Sequence, residues 1–122
     1  TDRALALHSD VLTITPNPFS PYVTARLDGN SEPGTRITFY PFSENTAHLL
    51  VSIAIYNMNG EVVKKLISHE SYSVEPHSIY WDGLTDSGRM ARNGRYLLRF
   101  RTSTYGSKSN VQDVLKPVVV FK

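Results

Sequence analysis

The residues of this chain best able to move protons or hold a metal are His8, His48, His69 and His77, and their spacing serves neither task. No two fall at a metal-ligand interval, and no Gly-x-Ser-x-Gly elbow is present to expose a serine nucleophile. The chain has no cysteine, which removes thiolate attack, thiolate zinc ligation and disulfides together. The stretch Asp82-Gly83-Leu84-Thr85-Asp86-Ser87-Gly88 loosely resembles a calcium loop. It lacks the alternating carboxylates and the closing bidentate Glu that would give calcium its oxygen ligands, so turn-forming aspartates are expected. No Gly-rich phosphate cradle occurs either. The chain reads as a non-enzyme without metal or cofactor.

Charge suggests binding chemistry instead. Arg95, Arg99 and Arg101 alternate along one segment and so share a strand face, and Lys64, Lys65, Arg89 and Arg92 extend that basic surface toward a phosphate or an anionic polysaccharide. The competing expectation is a solvated sheet face. Thirteen basic against eleven acidic residues leave a net charge of +2, too slight to make nucleic acid the partner. Nucleic-acid modules would also need a stacking sheet or a groove-reading helix. Tyr40, Tyr56 and Tyr80 alternate outward and are candidate rings for a sugar. Trp81 and Tyr96 fall on inward positions, where core packing is the expectation.

The elements that would hold these residues are strands. At 122 residues, 40% hydrophobic and 20% charged, the chain supports one core. Residues 1–10 read as a linker or N-terminal extension and 11–122 as the domain. No run reaches the roughly 18 apolar residues of a membrane span. The start lacks the apolar stretch of a signal peptide and an initiator Met, so a piece of a longer protein is expected.

Val11 to Thr15 is short and β-branched, and Pro16-Asn17-Pro18-Phe19-Ser20-Pro21 follows as a stiff crossing in which three prolines oppose helix and ladder pairing. Tyr22 to Gly34 reads as a long loop. Arg36 to Tyr40 alternates. Leu49 to Asn57 alternates more strongly, with Leu49, Val51, Ile53 and Ile55 inward. Asn57-Met58-Asn59-Gly60 reverses the chain into a strand over Glu61 to Ser68, anchored by Val63 and Leu66. Ser71 to Pro76 reads as a connector. His77, Ile79 and Trp81 share a face, and Leu84 to Asn93 is a polar loop. Tyr96, Leu98 and Phe100 then alternate with the basic positions. After a turn at Tyr105 to Ser109, Val111 to Phe121 forms a last strand that Pro117 marks as an edge or bulge.

Seven strands without a convincing helix predict an all-β, immunoglobulin-like antiparallel β-sandwich. Its core should be filled by Ile53, Ile55, Trp81, Tyr96 and Phe100. Tyr96, at the start of a late strand, is placed to return its hydroxyl to a loop backbone as a tyrosine corner does.

Over Thr13 to Lys122 the residues resemble the Ig-like domain of the flagellar hook-capping protein and its relatives at the C-termini of large bacterial surface proteins. The likeness rests on Pro16-Asn17-Pro18-Phe19, Thr35-x-Ile37-x-Phe39, Val51-x-Ile53-x-Ile55-Tyr56-Asn57-x-x-Gly60-x-x-Val63-x-x-Leu66, Trp81-Asp82-Gly83, Gly88-Arg89 and Gly94-Arg95-Tyr96. Within that superfamily, Pro16-Asn17-Pro18, Gly94-Arg95-Tyr96 and the terminal Val118-Val119-Val120-Phe121-Lys122 are similar to type IX secretion sorting domains. The resemblance implies a secreted or surface-attached bacterial protein, outside the cytoplasm, whose partners are the export and attachment machinery or the parent protein's other domains. A terminal edge strand is open to pairing by a partner sheet, which singles out Lys116, Val118, Val120 and Lys122 for recognition. The other implied roles are an accessory polysaccharide-binding module and a purely structural module of a larger surface enzyme.

Overall fold

The computed structural model describes residues 11–22, 34–106 and 110–122. The 1–10 extension, most of the Tyr22 to Gly34 loop and the Ser107 to Ser109 part of the last turn lie outside the described residues. The rest forms seven strands: β1 (Leu12–Thr15), β2 (Thr35–Phe39), β3 (His48–Tyr56), β4 (Val62–Ser73), β5 (His77–Trp81), β6 (Gly94–Ser103) and β7 (Asn110–Val120). Every pairing between them is antiparallel, in a three-stranded sheet ordered β1-β2-β5 and a four-stranded sheet ordered β4-β3-β6-β7. The chain crosses between layers at β2–β3, β4–β5 and β5–β6. Three strands facing four in this order make an immunoglobulin-like sandwich.

The period of two decides which residues fill it. Along β3, Leu49, Val51, Ile53 and Ile55 are fully buried while the residues between them are half-exposed. On β6, Phe100 lies opposite Ile53 and Leu98 opposite Ile55, so the central strands meet through directly opposed apolar pairs. Each such side chain contributes about 1.5–3 kcal/mol by leaving water. From the facing sheet come Leu12, Ile37, Phe39 and Trp81, all fully buried.

Trp81 is the hub at one end of the core. Its ring meets Phe19 edge-on at 5.4 Å and Tyr96 at 5.9 Å between centroids, and its Nε1 donates to the Leu84 carbonyl at 2.9 Å. The Tyr96 hydroxyl donates to the Arg92 carbonyl at 2.7 Å, which ties the incoming loop to the start of β6. Gly34 enters β2 at φ 93°, where an added Cβ would lie 1.9 Å from the Trp81 carbonyl oxygen. Only glycine allows the two strands to approach that closely.

The β3–β4 turn is built by Asn57, whose Oδ1 accepts the N–H groups of Asn59 and Glu61 at 2.9 and 3.0 Å. Beyond it, β4 departs from the expectation in two ways. It runs on to Ser73 through part of the expected connector, because Ser71, Tyr72 and Ser73 stay paired with Leu50, Leu49 and His48. Its deeply buried anchor is Ile67, with Val63 and Leu66 only half-buried against the core. A bulge between Val51 and Ile53 shifts the register, and His69 takes φ 54° there with its N–H on Ser52 Oγ at 3.1 Å.

Candidate functional site

In its sheet β7 is an edge strand, and an open edge offers unpaired backbone groups to another chain. Here its last turn of ladder is covered by the proline-rich segment after β1. Phe19 donates its N–H to the Val119 carbonyl at 3.0 Å and accepts from the N–H of Phe121 at 2.9 Å. Asn17 extends the cover with its side chain: Nδ2 donates to the Pro117 carbonyl at 2.9 Å and Oδ1 accepts from the Val119 N–H at 3.0 Å. The expectation that this segment cannot pair is therefore corrected. Pro16 and Pro18 have no N–H to give, but Phe19 between Pro18 and Pro21 keeps one, and the Asn17 carboxamide supplies a donor and an acceptor of its own.

The four residues singled out on and just after β7 do not form one exposed surface. Val118 and Val120 are 0% and 1% exposed, turned into the sandwich. Lys116 sits half-buried on the same side, its Nζ donating across the sandwich to the Leu12 carbonyl at 2.6 Å. Lys122 is exposed, with its backbone N–H on Asn93 Oδ1 at 2.9 Å. Along β7 the period of two turns the even positions toward the core and the odd ones outward. Val111 and Leu115 are accordingly 45% and 57% exposed. Counting back from Val120 by twos would have found this.

Gln112, on the inward side, was not singled out from sequence. Its Oε1 accepts from the Phe42 N–H at 2.9 Å and from Thr102 Oγ1 at 3.0 Å, and its Nε2 donates to the Tyr40 carbonyl at 3.1 Å. One side chain thus stitches β7 and β6 to the segment leaving β2.

Arg95, Arg99 and Arg101 all point to the outer face of the four-stranded sheet, but the face is mixed rather than basic. Arg99 makes a two-pronged bond to Asp113, Nε to Oδ1 at 2.9 Å and an Nη to Oδ2 at 2.7 Å. That bond holds the Asp113 carboxyl below its ordinary range and pushes the guanidinium pKa further up. Arg101 lies across from the same Asp113 in the register, and Arg95 is exposed. Beside them run Tyr56, Leu97 and Pro117, paired straight across three strands. Tyr56 faces out from this sheet and Tyr80 belongs to the other one, while Tyr40 packs edge-on against Phe42 at 5.8 Å. The three tyrosines do not share a platform.

At the end of the sandwich carrying the β3–β4 turn, the 84–92 loop folds back on itself and against β4. Asp86 accepts the Lys65 N–H through both oxygens at 3.1 and 3.3 Å and faces Lys64 Nζ at 3.7 Å. Asp82 Oδ1 accepts from the Leu84 N–H at 2.9 Å, so of the two aspartates in the calcium-like stretch Asp82 shapes the turn and Asp86 ties the loop to β4. Among the described residues no three of His, Asp or Glu converge on a metal-sized site. His77 instead packs against the rings of Phe39 and Tyr72, which also touch each other, with Nε2 2.9 Å from the Ser73 carbonyl.

The family model described as the FlgD Ig-like domain matches residues 24–106, more than half of the chain. The chain belongs to this family. It is a family of non-catalytic structural domains. No curated protein matches the sequence significantly. Among solved structures the domain is similar to PorZ, described as "an essential bacterial surface component of the type-IX secretion system of human oral-microbiomic Porphyromonas gingivalis". The TM-score is 0.52 at 17% identity, over 96% of this chain and 12% of that one. At that identity the likeness is one of fold, and the chain spans about an eighth of the PorZ chain.

Proposed function

We propose that this FlgD Ig-like domain is a non-catalytic module of a secreted or surface-attached bacterial protein, and that its C-terminal strand is the feature by which a type IX secretion machinery recognises it. One observation carries this reading. Pro16-Asn17-Pro18 and Val118 to Lys122, two of the stretches that resemble sorting domains, stand a hundred residues apart in sequence and form a single hydrogen-bonded unit in space. The fold likeness to PorZ supports the same reading.

In this reading each recognition residue has its own part. Val118, Val120 and Lys116 hold the strand in the sandwich, so that Phe121 (69% exposed) and Lys122 project from a fixed position. A partner would read that tip and the outward positions of β7, with proteins of the machinery as the occupants.

The test fuses the 122-residue chain behind a reporter in a type IX-competent bacterium. Removing Phe121 and Lys122 gives up only their backbone bonds to Phe19 and Asn93, and should abolish surface delivery while the purified domain still folds with a modestly lowered thermal melt. Unchanged delivery by that truncation, and by deletion of Val118 to Lys122, would leave a purely structural module as the role.

A further inference from the structure

We propose that the groove between the 84–92 loop and the start of β4 binds an extended acidic peptide segment of a partner protein. The site is separate from the C-terminal strand and stands whether or not that strand is an export signal.

The groove encloses about 570 Å³, within the range of clefts that hold a ligand. Its floor is aliphatic: Val62, 45% exposed, with Val63 and Met90. Its rim carries Arg89 and Arg92, both exposed and neither with a carboxylate partner among the described residues. The one carboxylate lining the groove, Asp86, is held by Lys64 and by the Lys65 N–H, so it does not neutralise the arginines. An apolar floor under two unengaged guanidinium forks matches an aliphatic side chain flanked by carboxylates.

The walls are fixed in advance. Asp86 donates its N–H to the Val63 carbonyl at 2.9 Å, Thr85 to the Arg89 carbonyl at 2.7 Å and Ala91 to the Gly83 carbonyl at 2.7 Å, while the Tyr96 hydroxyl holds the Arg92 carbonyl. A partner therefore loses its own freedom on binding, but the loop has little left to lose. A sugar chain fits less well, because saccharides stack on open aromatic faces and the ring lining this groove, Tyr96, is 8% exposed. A second copy would bring its own arginines against these.

The experiment titrates the ¹⁵N-labelled 122-residue chain with an end-blocked hexapeptide, Glu-Asp-Leu-Leu-Asp-Glu, and in separate arms with inorganic phosphate and with oligogalacturonate. The expected result is saturable amide shifts confined to residues 62–63 and 84–92. Arg89→Ala/Arg92→Ala and Val62→Asp, all at exposed positions whose folding the same spectra report, should each weaken peptide binding about tenfold or more. Arg89→Lys/Arg92→Lys should retain part of it. The proposal is overturned by an absence of shifts up to roughly millimolar peptide, or by binding indifferent to the arginine pair. It is equally overturned by loss with the arginines but not with Val62→Asp, which would leave only a general anion patch, or by tighter binding of phosphate or oligogalacturonate at the same residues.

Discussion

The carboxamide of Asn17 stands beside Val119 in the place a neighbouring strand's peptide group would occupy, accepting the Val119 N–H at 3.0 Å while donating to the Pro117 carbonyl. A side chain thereby continues a ladder that the flanking prolines could not, and Phe19 completes it with two backbone bonds and a ring set against Trp81. Closing the edge this way also protects the end of β7 from pairing with other chains.

Asn17→Ala removes both side-chain bonds and leaves the Phe19 bonds in place. At about 1 kcal/mol for a net hydrogen bond, the loss should be roughly 1–2 kcal/mol. Urea denaturation measures the total, and hydrogen exchange should show the Val119 amide losing protection before Phe100. Equal protection of Val119 in the variant would mean the carboxamide contributes nothing to the edge.

Gln112→Ala takes one acceptor from both Phe42 and Thr102 and one donor from the Tyr40 carbonyl. Thr102 is 1% exposed, so its hydroxyl loses a partner where water does not replace it readily. A cost of about 2–3 kcal/mol follows from leaving buried polar groups unmatched. The check is the denaturation midpoint, compared with Gln112→Glu. At low pH the protonated acid can still accept and donate, so it should recover part of the loss.

Gly34→Ala places a methyl group on the Trp81 carbonyl in a backbone conformation that L-residues avoid. Neither the β2 nor the β5 backbone can retreat without breaking the pairing of Thr35 with Trp81. The variant should lose more than about 3 kcal/mol or fail to fold, whereas Gly60→Ala, in open space at a similar φ, should cost only about 1 kcal/mol. Near-equal melting temperatures for the two would contradict the geometry.

How much of this was legible beforehand follows from how local each signal is. Alternation on β3, β5 and β6 placed Ile53, Ile55, Trp81, Tyr96 and Phe100 inside from neighbours two residues away. The Tyr96 corner was readable because its acceptor, Arg92, is four residues off. The Asn17 cover and the Gln112 bridge depend on partners 70 to 102 residues distant, and nothing in a short window reports those. The end of β4 was hidden differently. Its Ser-His-Glu-Ser composition reads as a loop because an edge strand that faces water needs little apolar pattern. Val118 and Val120 were legible as a strand from their β-branched run, whereas the cover that Asn17 and Phe19 lay along its end was not.

The Arg99–Asp113 pair gives a test in acid. Because the bond to Arg99 holds the Asp113 carboxyl below its ordinary 3.8, the folded state keeps this proton off more readily than the unfolded chain does. The pair's contribution is then fully present above about pH 4 and disappears as pH falls through the lowered folded value. About a third of each side chain is in water, so screening limits the contribution to less than about 1 kcal/mol. Asp113→Asn should therefore lower stability slightly at neutral pH, less so in high salt, and converge on the parent domain as pH falls through that lowered value. An Asp113→Asn variant whose deficit persisted unchanged into acid would show that Asp113 acts through packing at the β6–β7 rung and not through its charge.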